Sequence, residues 1–240
     1  MATLKQLREI FAPILATYPD LVLRRRWLFR PPIGTAIIGV FLGRTAYASR
    51  IDMALSVLPL SRFSPLWSPG FERGFEVERE VGTPPTKRQL PDGGRELAHT
   101  WEDIFEPDYK AHLIRNFDAK ARPFLDKAWS FEDIEAWAHT FRGVHFSPEP
   151  AELIDSWIAT MRGNFAAAAN QLQAFFERMG PPPPWMVGDE RRQQEAIRDA
   201  LRTDDRTVIA AFLHAMEERT IAAFGLQRFW NRTPFPFERT

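Results

Sequence analysis

Two histidines and several acidic residues lie close together near the middle of the sequence. The segment contains His99, Asp103, Asp108 and His112, with Glu106 between the two aspartates. Imidazole and carboxylate groups at this density are typical of acid–base catalysis or of a divalent-metal site. Acidic residues are also favoured at the start of a helix, where they stabilise the exposed N–H groups. The first interpretation makes His99, Asp103, Asp108 and His112 candidate catalytic residues of a hydrolytic enzyme, and the second predicts a solvated helix start.

A second pair of candidate ligands follows on a predicted helix. Glu135 and His139 are four residues apart, a spacing that brings two side chains to the same helix face, and His145 lies beyond a turn at Gly143. The interpretation that we favour is a surface Glu–His pair without a metal, and a metal site formed by these three residues is the alternative. No other cofactor is expected, because the phosphate-binding, dinucleotide-binding and HExxH motifs are missing from the sequence.

Four arginines stand close together in the segment LVLRRRWLFR, residues 21–30, and on a later strand. If residues 21–30 form one strand, alternation places Arg24, Arg26 and Arg30 on the same face, where Arg50 can join them. Guanidinium groups recognise carboxylates and phosphates, so these four residues predict a face that binds an anion or an acidic partner. The other interpretation, which the charge layout favours, is pairing across the sheet with acidic residues of a following strand. Those residues are Glu72, Glu76, Glu78 and Glu80.

Hydrophobic periodicity predicts the elements that must position these side chains. Apolar residues three and four apart over 4–15 indicate an amphipathic helix with Thr3 as its N-cap. Alternation and apolar runs predict four strands, at residues 21–30, 33–43, 47–58 and 71–81. From residue 100 onward the period is helical, with Ser130, Asn164 and Thr203 as helix starts. The helical stripes place Trp137, Trp157, Leu172, Phe176, Phe212 and Phe224 in the core.

These elements define an α+β fold class. An N-terminal helix precedes an antiparallel β-meander of about four strands, because the connections are short, and a helical C-terminal half follows. The 240 residues are expected to form a single domain, with a possible division into 1–99 and 100–240. The aromatic C-terminal tail from Phe229 to Phe237 is too apolar to extend into water, so we expect it to pack back onto the domain.

Composition restricts the classes of function. The chain has no cysteine, which excludes disulfides, thiolate metal sites and a cysteine nucleophile. No apolar run is long enough to span a bilayer, and the N-terminus is amphipathic, so we expect a soluble cytoplasmic protein that does not contact membranes. The formal net charge is +0, but residues 21–70 contain seven arginines, no lysine and a single acid, Asp52. A neutral chain without lysine at its basic segment disfavours nonspecific nucleic-acid binding.

Three functional hypotheses remain. The leading one is a non-enzymatic interaction protein that binds a protein partner, of which a bacterial immunity or antitoxin-like protein is one form. The second is a metal-dependent or acid–base hydrolytic enzyme that uses the Glu, His and Asp residues above. The third is a nucleic-acid-binding protein that uses the arginine-rich strand. The sequence does not indicate an oligomeric state.

Overall fold

A computed structural model of the chain describes residues 3–44, 50–61, 71–74, 88–89, 95–96, 102–103, 109–140, 151–180 and 188–239. The strands are β1 (Val22–Arg24), β2 (Trp27–Phe29), β3 (Ala36–Arg44), β4 (Arg50–Pro59), β5 (Phe71–Gly74), β6 (Arg88–Gln89), β7 (Arg95–Glu96) and β8 (Glu102–Asp103). The helices are α1 (Leu4–Thr17), α2 (Tyr109–Asn116), α3 (Arg122–Asp126), α4 (Phe131–His139), α5 (Ala151–Met161), α6 (Phe165–Met179), α7 (Gly188–Arg202) and α8 (Arg206–Phe224). This order confirms the α+β class, with an N-terminal helix, an antiparallel sheet and a helical C-terminal half.

The main sheet runs in the order β1–β2–β3–β4–β5, and β8 pairs with β4 as well. Val22 lies opposite Phe29 in the antiparallel β1–β2 pair, and Trp27 lies opposite Phe41 in the antiparallel β2–β3 pair. A separate antiparallel hairpin joins β6 to β7. Neighbouring strands of the β1–β4 series follow one another along the chain, as the predicted meander requires.

The prediction of one strand over residues 21–30 is wrong. The chain reverses at Arg25 and Arg26, which form a two-residue turn between β1 and β2. Arg25 has a φ of 53°, in the left-handed region that favours glycine. A positive φ at the first turn residue suits the twist of a tight hairpin, and glycine there is its usual sequence signal. Because this turn lacks a glycine, alternation gave the wrong structure, and Arg24, Arg26 and Arg30 do not follow one another along one strand face.

Gly39 allows β2 and β3 to approach closely. A Cβ atom at this position would lie 2.6 Å from the carbonyl oxygen of Leu28 and 3.2 Å from Cβ of Phe29. Real side chains do not tolerate the first distance, so any other residue would force the two strands apart. The glycine therefore fixes how the hairpin β1–β2 is placed on the rest of the sheet.

The described chain divides into two compact units. The first comprises residues 1–31, 38–56 and 72–127, and the second comprises residues 32–37, 57–71 and 128–240. In the first unit, α1 packs against β1 and α2. Its fully buried side chains include Leu7, Phe11, Trp27, Leu28, Phe29, Leu113 and Phe117. The helical chain from α2 to α3 passes through a π-helical turn, Phe117–Ala121.

The second unit is built on α5, α6, α7 and α8. Helix α6 packs against both α5 and α7, and the hydroxyl of Ser156 on α5 donates a hydrogen bond to the carbonyl of Ala168 on α6 at 2.8 Å. The C-terminal tail, residues 227–239, returns to this unit. Trp230 forms a parallel bridge with Ile33, and Phe235 and Phe237 are buried. This confirms the expectation that the aromatic tail packs back onto the fold.

Two of the predicted helix starts carry a full capping box. Thr3 and Ser130 accept hydrogen bonds from the backbone N–H three residues later, and Gln6 and Asp133 accept hydrogen bonds from the cap N–H groups in return. The prediction of Thr203 as the cap of α8 is wrong. Asp205 caps this helix, because its carboxylate accepts hydrogen bonds from the N–H groups of Thr207 and Val208.

None of the described helices combines the length and the apolar character that crossing a bilayer requires.

Candidate functional site

The candidate site is the arginine hairpin, residues 22–29, whose tip presents two exposed arginines. Arg24 ends β1 and Arg25 occupies the first turn position, and both are exposed. Arg26, the second turn residue, is partly buried and points its guanidinium back to the sheet. Its Nη1 donates to the carbonyl oxygens of Leu42 and Gly43, each at 3.0 Å, near the end of β3. The side chain of Arg26 therefore fixes the tip of the hairpin to β3.

Arg30 fixes the base of the same hairpin. Its Nε donates to Asp20 at 2.7 Å, its Nη2 donates to Asp126 at the end of α3, and its Nη1 donates to the carbonyl of Leu125 at 3.1 Å. Arg122 adds a second hydrogen bond to Asp126 at 2.8 Å. The two ends of the hairpin are thus joined to α3 through one arginine.

The ion pairs at the hairpin base are nearly neutral as a group. The hydrogen bond from Arg30 lowers the pKa of the Asp126 carboxyl below its ordinary value, so this carboxylate is ionised at neutral pH. Arg30 and Arg122 are balanced by Asp20 and Asp126. The charge of Arg30 is consequently balanced inside the first unit, and the side chains of Arg24 and Arg25 are exposed at the tip.

The fourth arginine of the predicted face, Arg50, begins β4. In the backbone register its partner is Asp103, one of the predicted catalytic residues, on β8. The structure describes the strand positions of these two residues but not their side chains. The four glutamates proposed as internal partners also lie outside the described side chains. The joint face of Arg24, Arg26, Arg30 and Arg50 thus loses its basis in a single strand, while a binding role for these residues stays a prediction.

The histidine and aspartate cluster predicted for catalysis falls largely outside the described residues. His99 and Asp108 are outside them, and His112 is described only as a backbone position in α2. The structure therefore gives no contact for this cluster, and the acid–base hypothesis based on it stays a prediction.

The predicted metal pair has a different partner in the structure. Both carboxylate oxygens of Glu135 accept hydrogen bonds from Arg162, at 3.1 Å from Nε and 2.6 Å from Nη2. Nε2 of His139 lies 3.6 Å from the same carboxylate, and His145 is outside the described residues. A guanidinium on both oxygens of Glu135 opposes binding of a metal cation there. Over the part of the chain that the structure describes, no group of three potential ligands is arranged around a common point.

A buried titratable cluster that the sequence did not single out lies between α8 and the C-terminal tail. Nδ1 of His214 lies 2.8 Å from Oε2 of Glu217, and Nε2 of His214 lies 3.0 Å from Oε2 of Glu238. The Phe235 ring stacks on the imidazole with 4.3 Å between centroids, and the backbone N–H of Phe235 donates to Glu238 at 2.7 Å. His214 therefore joins a helix carboxyl to a tail carboxylate.

Burial determines the charge of this cluster. Glu217 is 0% exposed and its Oε1 has no hydrogen-bond partner. Desolvation raises the pKa of Glu217 to about 8, and burial lowers the pKa of His214. Both ring nitrogens of His214 contact carboxyl groups on opposite sides of the ring, so the imidazole has no nitrogen left for a substrate, and the carboxyl groups do not converge on one metal position.

A sequence signal for half of this cluster exists. His214 and Glu217 are three residues apart on a predicted helix, a spacing at which side chains meet. Glu238 cannot be added from the sequence, because its position depends on the path of the tail.

Comparison with known proteins adds no functional information: no family model matches the chain, and neither a curated protein nor a solved structure is significantly similar to it.

Proposed function

We propose that this chain is a non-enzymatic interaction protein that binds an acidic protein partner through Arg24 and Arg25 at the tip of the arginine hairpin. One observation carries the proposal: Arg26 fixes the tip to β3 and Arg30 fixes the base to α3, while Arg24 and Arg25 are exposed. An immunity or antitoxin-like protein, which neutralises another protein by binding it, is one concrete form of this function.

A hairpin held at both ends favours binding for a physical reason. Association costs the entropy of ordering loops and side chains, and a preorganised backbone reduces that cost. Arginine is well suited to the contact, because its planar guanidinium forms two parallel hydrogen bonds to a carboxylate and it is enriched at the energetic centres of interfaces. The left-handed φ of 53° at Arg25 costs conformational energy, which the surrounding contacts must offset.

Other features support binding over catalysis. His214 is buried, and its two ring nitrogens contact Glu217 and Glu238. Glu135, the metal candidate, has both oxygens on Arg162. Neither side chain is available in this arrangement to accept a proton from a substrate or to hold an ion.

Charge reversal at the tip tests the proposal. The variant Arg24→Glu/Arg25→Glu is compared with the unchanged protein in quantitative affinity capture from extract of the source cells, followed by titration of the captured partner. We expect at least about a tenfold loss of affinity, mainly through slower association, because reversed rim charges repel an acidic surface. The affinity of the unchanged protein should also fall as salt rises.

Two further variants control this experiment. Arg8→Glu makes one such charge reversal at an exposed position on α1 and should leave the affinity unchanged. Arg25→Gly removes the charge while keeping a residue that adopts a positive φ, so it should weaken binding and leave the hairpin folded. Capture of the same partners at the same affinity by the double variant would contradict the proposal. If the unchanged protein binds duplex DNA or RNA and the double variant does not, the function would be nucleic-acid recognition instead.

A further inference from the structure

We propose that His214 and Glu217 form a pH-dependent latch that holds Glu238 and the C-terminal tail on α8 at neutral pH and loosens the tail at alkaline pH. The latch is defined by these three residues. Its geometry is a single imidazole with one carboxyl group at each nitrogen, at 2.8 Å and 3.0 Å.

Two protons are needed to satisfy the two contacts at neutral pH. A nitrogen–oxygen contact at these distances is a hydrogen bond only when one of the two atoms carries a proton. Because desolvation raises the pKa of Glu217 to about 8, its neutral carboxyl donates to Nδ1 at pH 7. The Nε2–H group of His214 then donates to the carboxylate of Glu238. Both contacts are satisfied, and the tail is held through a hydrogen bond to a charged acceptor.

Loss of one proton at alkaline pH leaves a single N–H for two carboxylates. Glu217 is fully buried, and its other oxygen has no hydrogen-bond partner. An ionised Glu217 without the N–H would therefore cost more free energy than a partly exposed Glu238 without it. The imidazole therefore donates from Nδ1, and the lone pair of Nε2 faces Glu238. The side chain of Glu238 is 26% exposed and can turn to water, so its contact is the one that breaks.

Charged groups on both elements set the pH at which this occurs. Glu218 on α8 and Glu238 on the tail favour the protonated form of Glu217, and Arg232 on the tail favours the ionised form. The same three residues act on His214 with the corresponding signs. The two acidic groups oppose the ionisation of Glu217 and the arginine favours it. The pH of the transition therefore depends on these three charges and on the burial of Glu217.

The loosening is local because aromatic packing holds the tail independently. Glu238 accepts the N–H of Phe235 and so stabilises the 3₁₀ turn Pro236–Glu238. Phe235 also stacks on His214, and Phe237 packs edge-on against Phe165 at 5.2 Å between centroids. Release of Glu238 removes the cap of the turn while the two rings stay in the core.

Hydrogen–deuterium exchange of the tail tests the latch. Amide protection of residues 234–239 is measured by mass spectrometry at about pH 6 and about pH 9, and corrected for the intrinsic exchange rate at each pH. We expect protection to fall by at least about tenfold at the higher pH, since one hydrogen bond to a charged group contributes that much to an equilibrium. Equal protection at both pH values in the unchanged protein would overturn the proposal.

Amide variants separate the latch from general alkaline loosening. Glu217→Gln donates an N–H to Nδ1 at every pH, and Glu238→Gln can donate to Nε2 when that nitrogen is unprotonated, so either variant should lose the pH response. Glu218→Gln, which changes a nearby charge without a hydrogen bond to His214, should keep the response. A pH response in both amide variants equal to that of the unchanged protein would overturn the proposal, and Glu238→Gln keeps the test decisive if Glu217→Gln does not fold.

Discussion

At the scale of single residues, identical side chains in one short segment do different things. Arg24 and Arg25 are exposed, Arg26 donates to backbone carbonyls of β3, and Arg30 is paired with two aspartates. The difference comes from the turn. The chain reverses at Arg25 and Arg26, so Arg30 lies at the base of the hairpin, away from the arginines at its tip. The four arginines therefore do not form one patch on a single strand face, and the binding role that we propose is limited to the two arginines at the tip.

The buried carboxyl of Glu217 predicts a pH dependence of stability. Its folded pKa is raised from 4.5 to about 8, so the folded state holds a proton that the unfolded state releases. Stability from such a group is complete below the unfolded pKa and is lost as pH rises through the folded one. His214 has a lowered pKa and contributes the opposite slope below its ordinary value of 6.5. Between pH 6.5 and 8 the effect of Glu217 therefore exceeds that of His214.

We expect the free energy of unfolding to fall by about 2 kcal/mol from pH 6.5 to pH 8, because the folded state holds about one more proton than the unfolded state over most of that interval. Urea denaturation at several pH values measures the decline. Glu217→Gln removes the titrating group and should flatten the curve in this window. A decline of the same size in that variant would show that another group is responsible.

At the scale of elements, the cap of α8 gives a second prediction. Asp205 accepts hydrogen bonds from two backbone N–H groups of the first turn, at 2.9 and 3.2 Å, and places a negative charge at the helix N-terminus. Asp205→Ala should therefore destabilise the protein by about 1 kcal/mol, within the range of about 0.5–2 kcal/mol measured for such caps. Chemical denaturation compares it with Asp204→Asn, whose positive φ of 53° an asparagine also adopts. Equal stability of the two variants would contradict the assignment of the cap.

Local signals predicted the elements whose ends are defined by side chains. The capping boxes at Thr3 and Ser130 are visible in the sequence and present in the structure. The C-cap of α8 is Gly225, in the left-handed region that favours glycine. The hairpin turn at Arg25 was missed because its usual glycine is absent, and the α8 cap was misplaced by two residues because Thr203, Asp204 and Asp205 are all suitable cap types.

The core prediction shows a similar limit on helix faces. Trp157, Leu172 and Phe176 are buried as the apolar stripes of α5 and α6 predict. Phe212 and Phe224 on α8 are only partly buried. The buried face of this helix carries His214, Glu217 and Thr220 among apolar residues such as Leu213 and Met216. A search for an apolar stripe does not identify a buried face that includes polar side chains, two of which, His214 and Thr220, have partners distant in the sequence.

At the scale of the whole chain, contacts between distant segments complete the second unit. The hydroxyl of Thr220 on α8 donates to the carbonyl of Leu60 at 2.9 Å, and Asn231 in the tail donates its N–H to Ile33 at 2.9 Å. These pairs are separated by most of the sequence, so no local pattern indicates them. The candidate cluster at His214 belongs to this class, because Glu238 reaches it only through the path of the tail.

The tail is accordingly expected to act as part of the core of the second unit. Phe237 is 2% exposed, packs against Phe165, lies 3.5 Å from the Cβ that a substitution would add at Gly163, and accepts a hydrogen bond from Arg206 on its carbonyl. Phe237→Ala leaves a cavity among these groups and should cost about 3–5 kcal/mol of unfolding free energy.

Urea denaturation of Phe237→Ala is compared with that of Phe229→Ala, where the replaced ring is only partly buried and lies under the guanidinium of Arg228. The Phe229 variant should lose clearly less stability, because its ring leaves water incompletely on folding. A loss below about 1 kcal/mol for Phe237→Ala would mean that the last residues lie on the fold without contributing to it. In that case the ring would not hold the tail, and the loosening expected at alkaline pH would extend from the 3₁₀ turn to the whole C-terminal segment.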